Sequence, residues 1–124
     1  MAQKTILLVE DSLETRELYQ EVLEEAGFSV TPAIDGEDGL DKASKGGYDL
    51  ILLDIMMPKM DGLTLLSKLK TNPPKLPNGG ILLLTNLEHD VVIKQALSLG
   101  AMDYLVKSNL NPGQIVEKVK SIIK

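Results

Sequence analysis

The sequence predicts an α/β fold, a doubly wound five-stranded parallel sheet covered by helices, of the (βα)5 kind. Two observations carry this expectation. Apolar runs of four or five residues alternate with segments of helical periodicity along the whole chain. The runs also lack the in-and-out alternation of half-exposed strands, as strands buried on both faces do. With right-handed crossovers the expected strand order is 2-1-3-4-5, which puts a ligand crevice at the carboxyl ends of the first and third strands.

Thr5-Ile6-Leu7-Leu8-Val9 reads as the first strand and closes on Glu10-Asp11. Asp11 or Ser12 caps a helix in which Leu18, Tyr19, Val22, Leu23 and Ala26 recur at helical spacing before Gly27 stops it. Phe28 to Ala33 is the second strand, and Asp35-Gly36 opens a short helix that places Leu40 and Ala43 inward and ends at Gly46-Gly47. Leu50-Ile51-Leu52-Leu53 is the third strand and stops at Asp54. Pro58 cannot continue a ladder, and Asp61-Gly62 caps a third helix carrying Leu63, Leu66 and Leu69.

Thr71 to Gly80, with three prolines and two glycines, is expected to be the least ordered loop. Ile81 to Leu84 is the fourth strand, ending in Thr85-Asn86, and Val92, Ile93, Ala96 and Leu97 mark the fourth helix before Gly100. Asp103-Tyr104-Leu105-Val106 is the fifth strand and ends in Lys107. Asn111-Pro112-Gly113-Gln114 combines a cap, a first-turn proline and a Gln three residues after the cap, opening a last helix through Ile115, Val116, Val119, Ile122 and Ile123.

At 124 residues the chain is expected to form one domain, 1–124, with a core of aliphatic side chains, since only 3% of residues are aromatic. The net charge of −5 opposes direct binding to nucleic acid or an anionic membrane. With no cysteine there is no disulfide, thiolate metal site or thiol catalysis. No signal-peptide pattern and no apolar span of about 20 residues occurs, so a soluble, cytoplasmic protein is expected.

The predicted topology brings Glu10, Asp11 and Asp54 to one crevice, with Thr85 and Lys107 at the same sheet edge. Three carboxylates so close repel one another unless a cation neutralises them. An oxygen-only donor set favours Mg²⁺, which pairs few carboxylates with a phosphate. Lys107 adds a point charge and Thr85 a hydroxyl for phosphoryl oxygens, leaving Asp54 best placed as a nucleophile that becomes an aspartyl-phosphate.

On these residues the full chain resembles a response-regulator receiver domain of two-component signalling, of the single-domain chemotaxis type and flavodoxin-like in fold. The resemblance implies that Glu10 and Asp11 hold Mg²⁺ together with Asp54 and the Met56 carbonyl. It implies that Asp54 accepts phosphate from a histidine kinase or phosphotransfer protein, that Thr85 and Lys107 contact the phosphoryl group, and that Tyr104 is a switch residue. The chain is then no conventional enzyme. It signals to an unknown downstream protein through the face of the fourth helix, fifth strand and fifth helix, and its start at Met1 favours a stand-alone regulator over an excised receiver.

Two departures stand out. Ser108 follows Lys107 where the family usually has a proline with a cis bond, so the loop either stores strain or runs trans with Lys107 held differently, retaining its contact with Asp54. Asn86 replaces a usually small residue and narrows the entry to Asp54.

Each residue also has a plainer reading. Glu10-Asp11 suits a helix start, Thr85 a strand-end hydroxyl, Lys107 a solvated edge charge, Tyr104 core packing against the fourth helix and His89 the surface. Met56, Met57 and Met60 read as loop packing or an adaptable partner surface. The competitors are a flavin-binding flavodoxin, disfavoured by acids where a phosphate loop belongs, and an aspartyl-nucleophile phosphohydrolase, disfavoured by Met56 where a second Asp belongs. A degenerate receiver acting as a phosphorylation-independent interaction module is the third. Met56 and Leu87 occupy positions that in the family tune autodephosphorylation. Replacing Leu87 with a small polar residue is expected to shorten the phosphoryl lifetime, read as the decay of labelled protein; an unchanged decay refutes that role.

Overall fold

The computed structural model describes residues 3–86 and 90–123. Leu87 and His89 lie outside the described residues. The elements run β1 (Thr5–Val9), α1 (Leu13–Glu25), β2 (Ser29–Ala33), α2 (Gly36–Lys45), β3 (Leu50–Asp54), α3 (Gly62–Thr71), β4 (Gly80–Thr85), α4 (Asp90–Ser98), β5 (Asp103–Val106) and α5 (Pro112–Ile122). The strands form one parallel sheet in the order β2-β1-β3-β4-β5, as the alternation of elements predicts. In register, Val9 stands opposite both Ala33 and Leu53, so β1 and β3 end side by side.

Apolar residues at alternate strand positions feed two separate cores. Leu7, Val9, Ile51, Leu53 and Leu83 pack with Ala43, Leu65, Leu66 and Ala96 from α2, α3 and α4. Ile6, Leu8, Leu50, Leu52, Leu82 and Leu84 pack on the other face with Tyr19 and Leu23 of α1 and Ile115, Val116 and Val119 of α5. All five residues of β3 are buried, which explains why its sequence lacks alternation.

Local chemistry sets the helix starts. Ser12, Asp35 and Asp61 each accept a hydrogen bond from a backbone N–H three residues on, and Asn111 with Gln114 closes a reciprocal capping box.

Several expectations change. Leu18 and Leu97 are exposed rather than inward, because their positions fall at the margin of the apolar stripe of α1 and α4. Tyr104 is 40% exposed and does not pack into the core as expected; β5 is an edge strand with only intermediate or exposed residues. The 72–79 loop is tied down. Asn78 accepts from Tyr48 N–H at 3.1 Å and donates to the Ala43 carbonyl at 3.0 Å, while Gly79 N–H donates to the Tyr48 carbonyl at 2.7 Å. Its polar side chains meet the neighbouring 46–48 turn, which a composition-based reading of prolines and glycines does not register.

Gly36 brings α2 against the loop that follows β3. A Cβ there would lie 2.0 Å from the Met60 carbonyl oxygen, a backbone atom that cannot swing aside. Gly36→Ala is therefore expected to cost about 1–3 kcal/mol, lowering the urea midpoint. A midpoint equal to wild type would show that the loop after β3 yields freely.

Candidate phosphoryl-acceptor site

Glu10 follows β1, Asp54 ends β3 and Lys107 follows β5, so three strand ends supply the charged groups. The structure brings them together. Lys107 Nζ donates to Glu10 Oε1 at 2.6 Å and lies 3.4 Å from Asp54 Oδ2. Glu10 is fully buried and Asp54 is 4% exposed. Glu10 Oε2 accepts from Ser12 N–H at 3.2 Å, and Asp54 Oδ1 accepts from Met56 N–H at 3.2 Å. Asp11 is exposed at the rim.

The cis bond that the family pattern places after Lys107 is absent. Every described peptide bond is trans, and Lys107–Asn109 forms a 3-10 turn instead. The contact of Lys107 with Asp54 is nevertheless made, at 3.4 Å.

These groups wall a polar cavity of about 490 Å³, to which Met56 and Asn86 also contribute. Thr85 is buried at the end of β4, with Asn86 rather than Thr85 in the cavity wall. Tyr104 stands apart from this cavity. A groove of similar size, about 520 Å³, lies between α3 and α4, but Lys68 is the single charged residue in its wall and no acids converge there.

Sequence reasoning assigned no site role to four other wall residues, Ser12, Thr15, Tyr19 and Ser108. It also missed Arg16, whose guanidinium donates to the Glu10 carbonyl at 2.8 Å and the Asp11 carbonyl at 3.4 Å, fastening the loop that carries both acids. Its place on the first turn of α1, soon after the acids, is the signal that points to this role.

Burial pushes the Glu10 carboxyl up, but the hydrogen bond from Lys107, then that from Asp54, the Lys107 charge and the Ser12 N–H outweigh it and leave it below the ordinary carboxylate range. Asp54 goes the other way. Burial, its hydrogen bond to Glu10 and the Glu10 charge raise it from 3.8 to about 7, against smaller opposing effects of Lys107 and the Met56 N–H. For Lys107, burial acts downward, and the hydrogen bond to Glu10 with the charges of both acids more than reverses it, so its ammonium is held above its ordinary value.

Glu10, Asp11 and Asp54 each place a carboxylate oxygen within 4.8 Å of the other two. They form the one such group of potential metal ligands among the described residues. The all-oxygen donor set and the raised Asp54, a carboxylate short of positive charge, suit a hard divalent cation.

Residues 6–120 match the family described as "Response regulator receiver domain", and the chain belongs to that family. It is 35% identical over 122 residues to the chemotaxis protein CheY of Treponema pallidum, covering 96% of this chain and 82% of that one. It is 37% identical over 121 residues to the alkaline phosphatase synthesis transcriptional regulatory protein PhoP of Bacillus subtilis, covering 98% of this chain and 49% of that protein. Among solved structures, the chemotaxis protein CheY4 of Vibrio cholerae superposes with a TM-score of 0.86 at 29% identity, covering 98% and 100% of the two chains. TrrA of Thermotoga maritima, solved in complex with Mg(2+)-BeF, gives 0.81 at 36% identity with coverage of 98% and 100%. Among the described residues no helix is long and apolar enough to cross a membrane.

The folded-state value of Asp54 lies above its unfolded one, so its contribution to stability is fully present below about pH 3.8 and is lost as pH rises through about 7. Asp54→Asn removes that loss. In metal-free buffer the variant's melting temperature is expected to exceed wild type by several degrees, roughly 3–8 °C, above pH 7. The gap should shrink towards pH 4, as followed by thermal denaturation; a gap independent of pH would contradict the assigned origin.

Proposed function

We propose that the chain is a single receiver unit, 1–124, in which Mg²⁺-dependent phosphorylation of Asp54 by a histidine kinase or histidine phosphotransfer protein switches a partner-binding face. The observation that carries this reading is the Lys107 ammonium lying between the buried carboxylates of Glu10 and Asp54. That arrangement holds a nucleophile and a phosphoryl-binding cation together at the edge where ligands bind in such sheets.

In the reaction a carboxylate oxygen of Asp54 attacks the phosphorus of a phosphohistidine. An O–P bond forms, the P–N bond breaks, and the imidazole departs with the electron pair and takes up a proton. Asp54 must be ionised to attack, and a bound divalent cation would supply the positive charge that brings its raised carboxyl back to that form. Glu10, Asp11, Asp54 and the Met56 carbonyl are the residues that would hold Mg²⁺, whose positive charge favours the carboxylate form and offsets the phosphoryl oxygens. Lys107 turns from Glu10 to a phosphoryl oxygen, and Thr85, outside the cavity wall here, is drawn inward to donate its hydroxyl to another.

The added charge favours one of two conformations through Thr85 and Tyr104, and the α4, β5 and α5 face presents the result to a downstream protein in the cytoplasm. Tyr104, exposed on β5, lies on that face. The chain acts as phosphoacceptor rather than as a turnover catalyst, with at most slow autodephosphorylation.

Incubation with acetyl phosphate, with and without Mg²⁺, tests this. Wild type is expected to gain the mass of one hydroxylamine-labile phosphoryl group only with Mg²⁺, and Asp54→Ala none. Lys107→Ala is expected to be labelled at least about ten-fold more slowly, the loss of one charged hydrogen bond. Absence of labelling on wild type, or equal labelling of Asp54→Ala, would overturn the assignment.

A further inference from the structure

Tyr19 is the buried titratable group in the cavity wall that the reaction above leaves unused. It is 5% exposed, and its ring is fixed in the core between sheet, α1 and α5, beside Leu8, Leu23 and Ile115. The same residue forms part of the wall of the polar cavity with Glu10, Asp54 and Lys107. Tyr19 thus belongs both to the core and to the wall of the site.

Among the described residues no buried side-chain polar atom lacks a partner, as buried tyrosine hydroxyls ordinarily require. Tyr19 reaches the polar cavity as part of its wall, where a phenol can serve as a donor. The charges of Lys107, Glu10 and Asp54 all act on it, so it lies within electrostatic reach of the acceptor without bonding it directly.

A phosphoryl group on Asp54 would enter the cavity that Tyr19 helps to line. It brings three strong acceptor oxygens, with more lone pairs than Lys107 and Thr85 satisfy. A phenol on a locked ring donates at little further entropic cost, since its side chain is already ordered.

We propose that Tyr19 is a further phosphoryl-binding residue of this site, its hydroxyl donating a hydrogen bond to an oxygen of the group carried by Asp54. This rests on the phosphoacceptor reading above and extends it by one named donor. In the sequence, Tyr19 sits at a helical-core position, and that apolar periodicity conceals the role.

Beryllofluoride, a stable stand-in for the phosphoryl group, separates this role from packing. Tyr19→Phe keeps the ring and removes only the hydroxyl. With Mg²⁺ present, it is expected to bind beryllofluoride about ten-fold more weakly than wild type, the loss of one hydrogen bond to a charged group. Its Mg²⁺ affinity measured alone and its melting temperature should be unchanged. Its acetyl phosphate-derived label should also decay faster than wild type. Beryllofluoride affinity and label decay equal to wild type in Tyr19→Phe would overturn the proposal and reduce Tyr19 to a core residue. If wild type itself takes neither beryllofluoride nor label, the failure belongs to the phosphoacceptor reading instead.

Discussion

Glu10 is wholly enclosed, and a carboxylate deprived of water must be matched by a cation or give up its charge. Lys107 provides the match at 2.6 Å, reaching from the far edge of the sheet to the acid after β1. This one contact fixes much else. It links the ends of β1 and β5, which are not neighbours in the sheet, and leaves Asp54 of the intervening β3 with less positive charge than burial demands. The acid that remains deficient is Asp54, and this electrostatic shortage is what suits the cluster of Glu10, Asp11 and Asp54 to a divalent ion.

The backbone around this pair is correspondingly braced. Arg16 holds the carbonyls of Glu10 and Asp11, Met56 N–H holds one Asp54 oxygen, and Gly36 lets the loop after β3 rest directly on α2. Two loops, those after β1 and β3, thus carry the braced acids. Neither brace depends on a ring or a disulfide, in keeping with a chain that has few aromatics and no cysteine.

Much of this was legible in the residues alone because buried parallel strands leave an unusually plain signal. Leu50 to Leu53 reads as a strand covered on both faces, and the acid that ends it is placed by topology rather than by local context. Glu10, Asp11, Asp54, Met56 and Lys107 meet in one cavity as that topology requires. Side-chain direction at the margins was not legible. Leu18 and Leu97 satisfy helical spacing yet face solvent, and Tyr104 is open because edge strands have one uncovered side. Tyr19 was read as core, correctly for its ring, but periodicity says nothing about where a hydroxyl at the end of that ring emerges. The 72–79 loop misled in the opposite sense, since proline and glycine advertise irregular backbone whether or not polar side chains anchor it.

That anchoring lies at the end of the sheet remote from the acids. There the Thr5 N–H donates to Asp49 at 2.7 Å, Asp49 N–H returns a bond to the Thr5 carbonyl at 2.9 Å, and Asn78 clasps the adjacent turn. The molecule has in effect a riveted base beneath its acidic rim. Under the switch proposed above, displacements begun among the carboxylates would meet that footing and turn sideways across the upper loops rather than run down the strands.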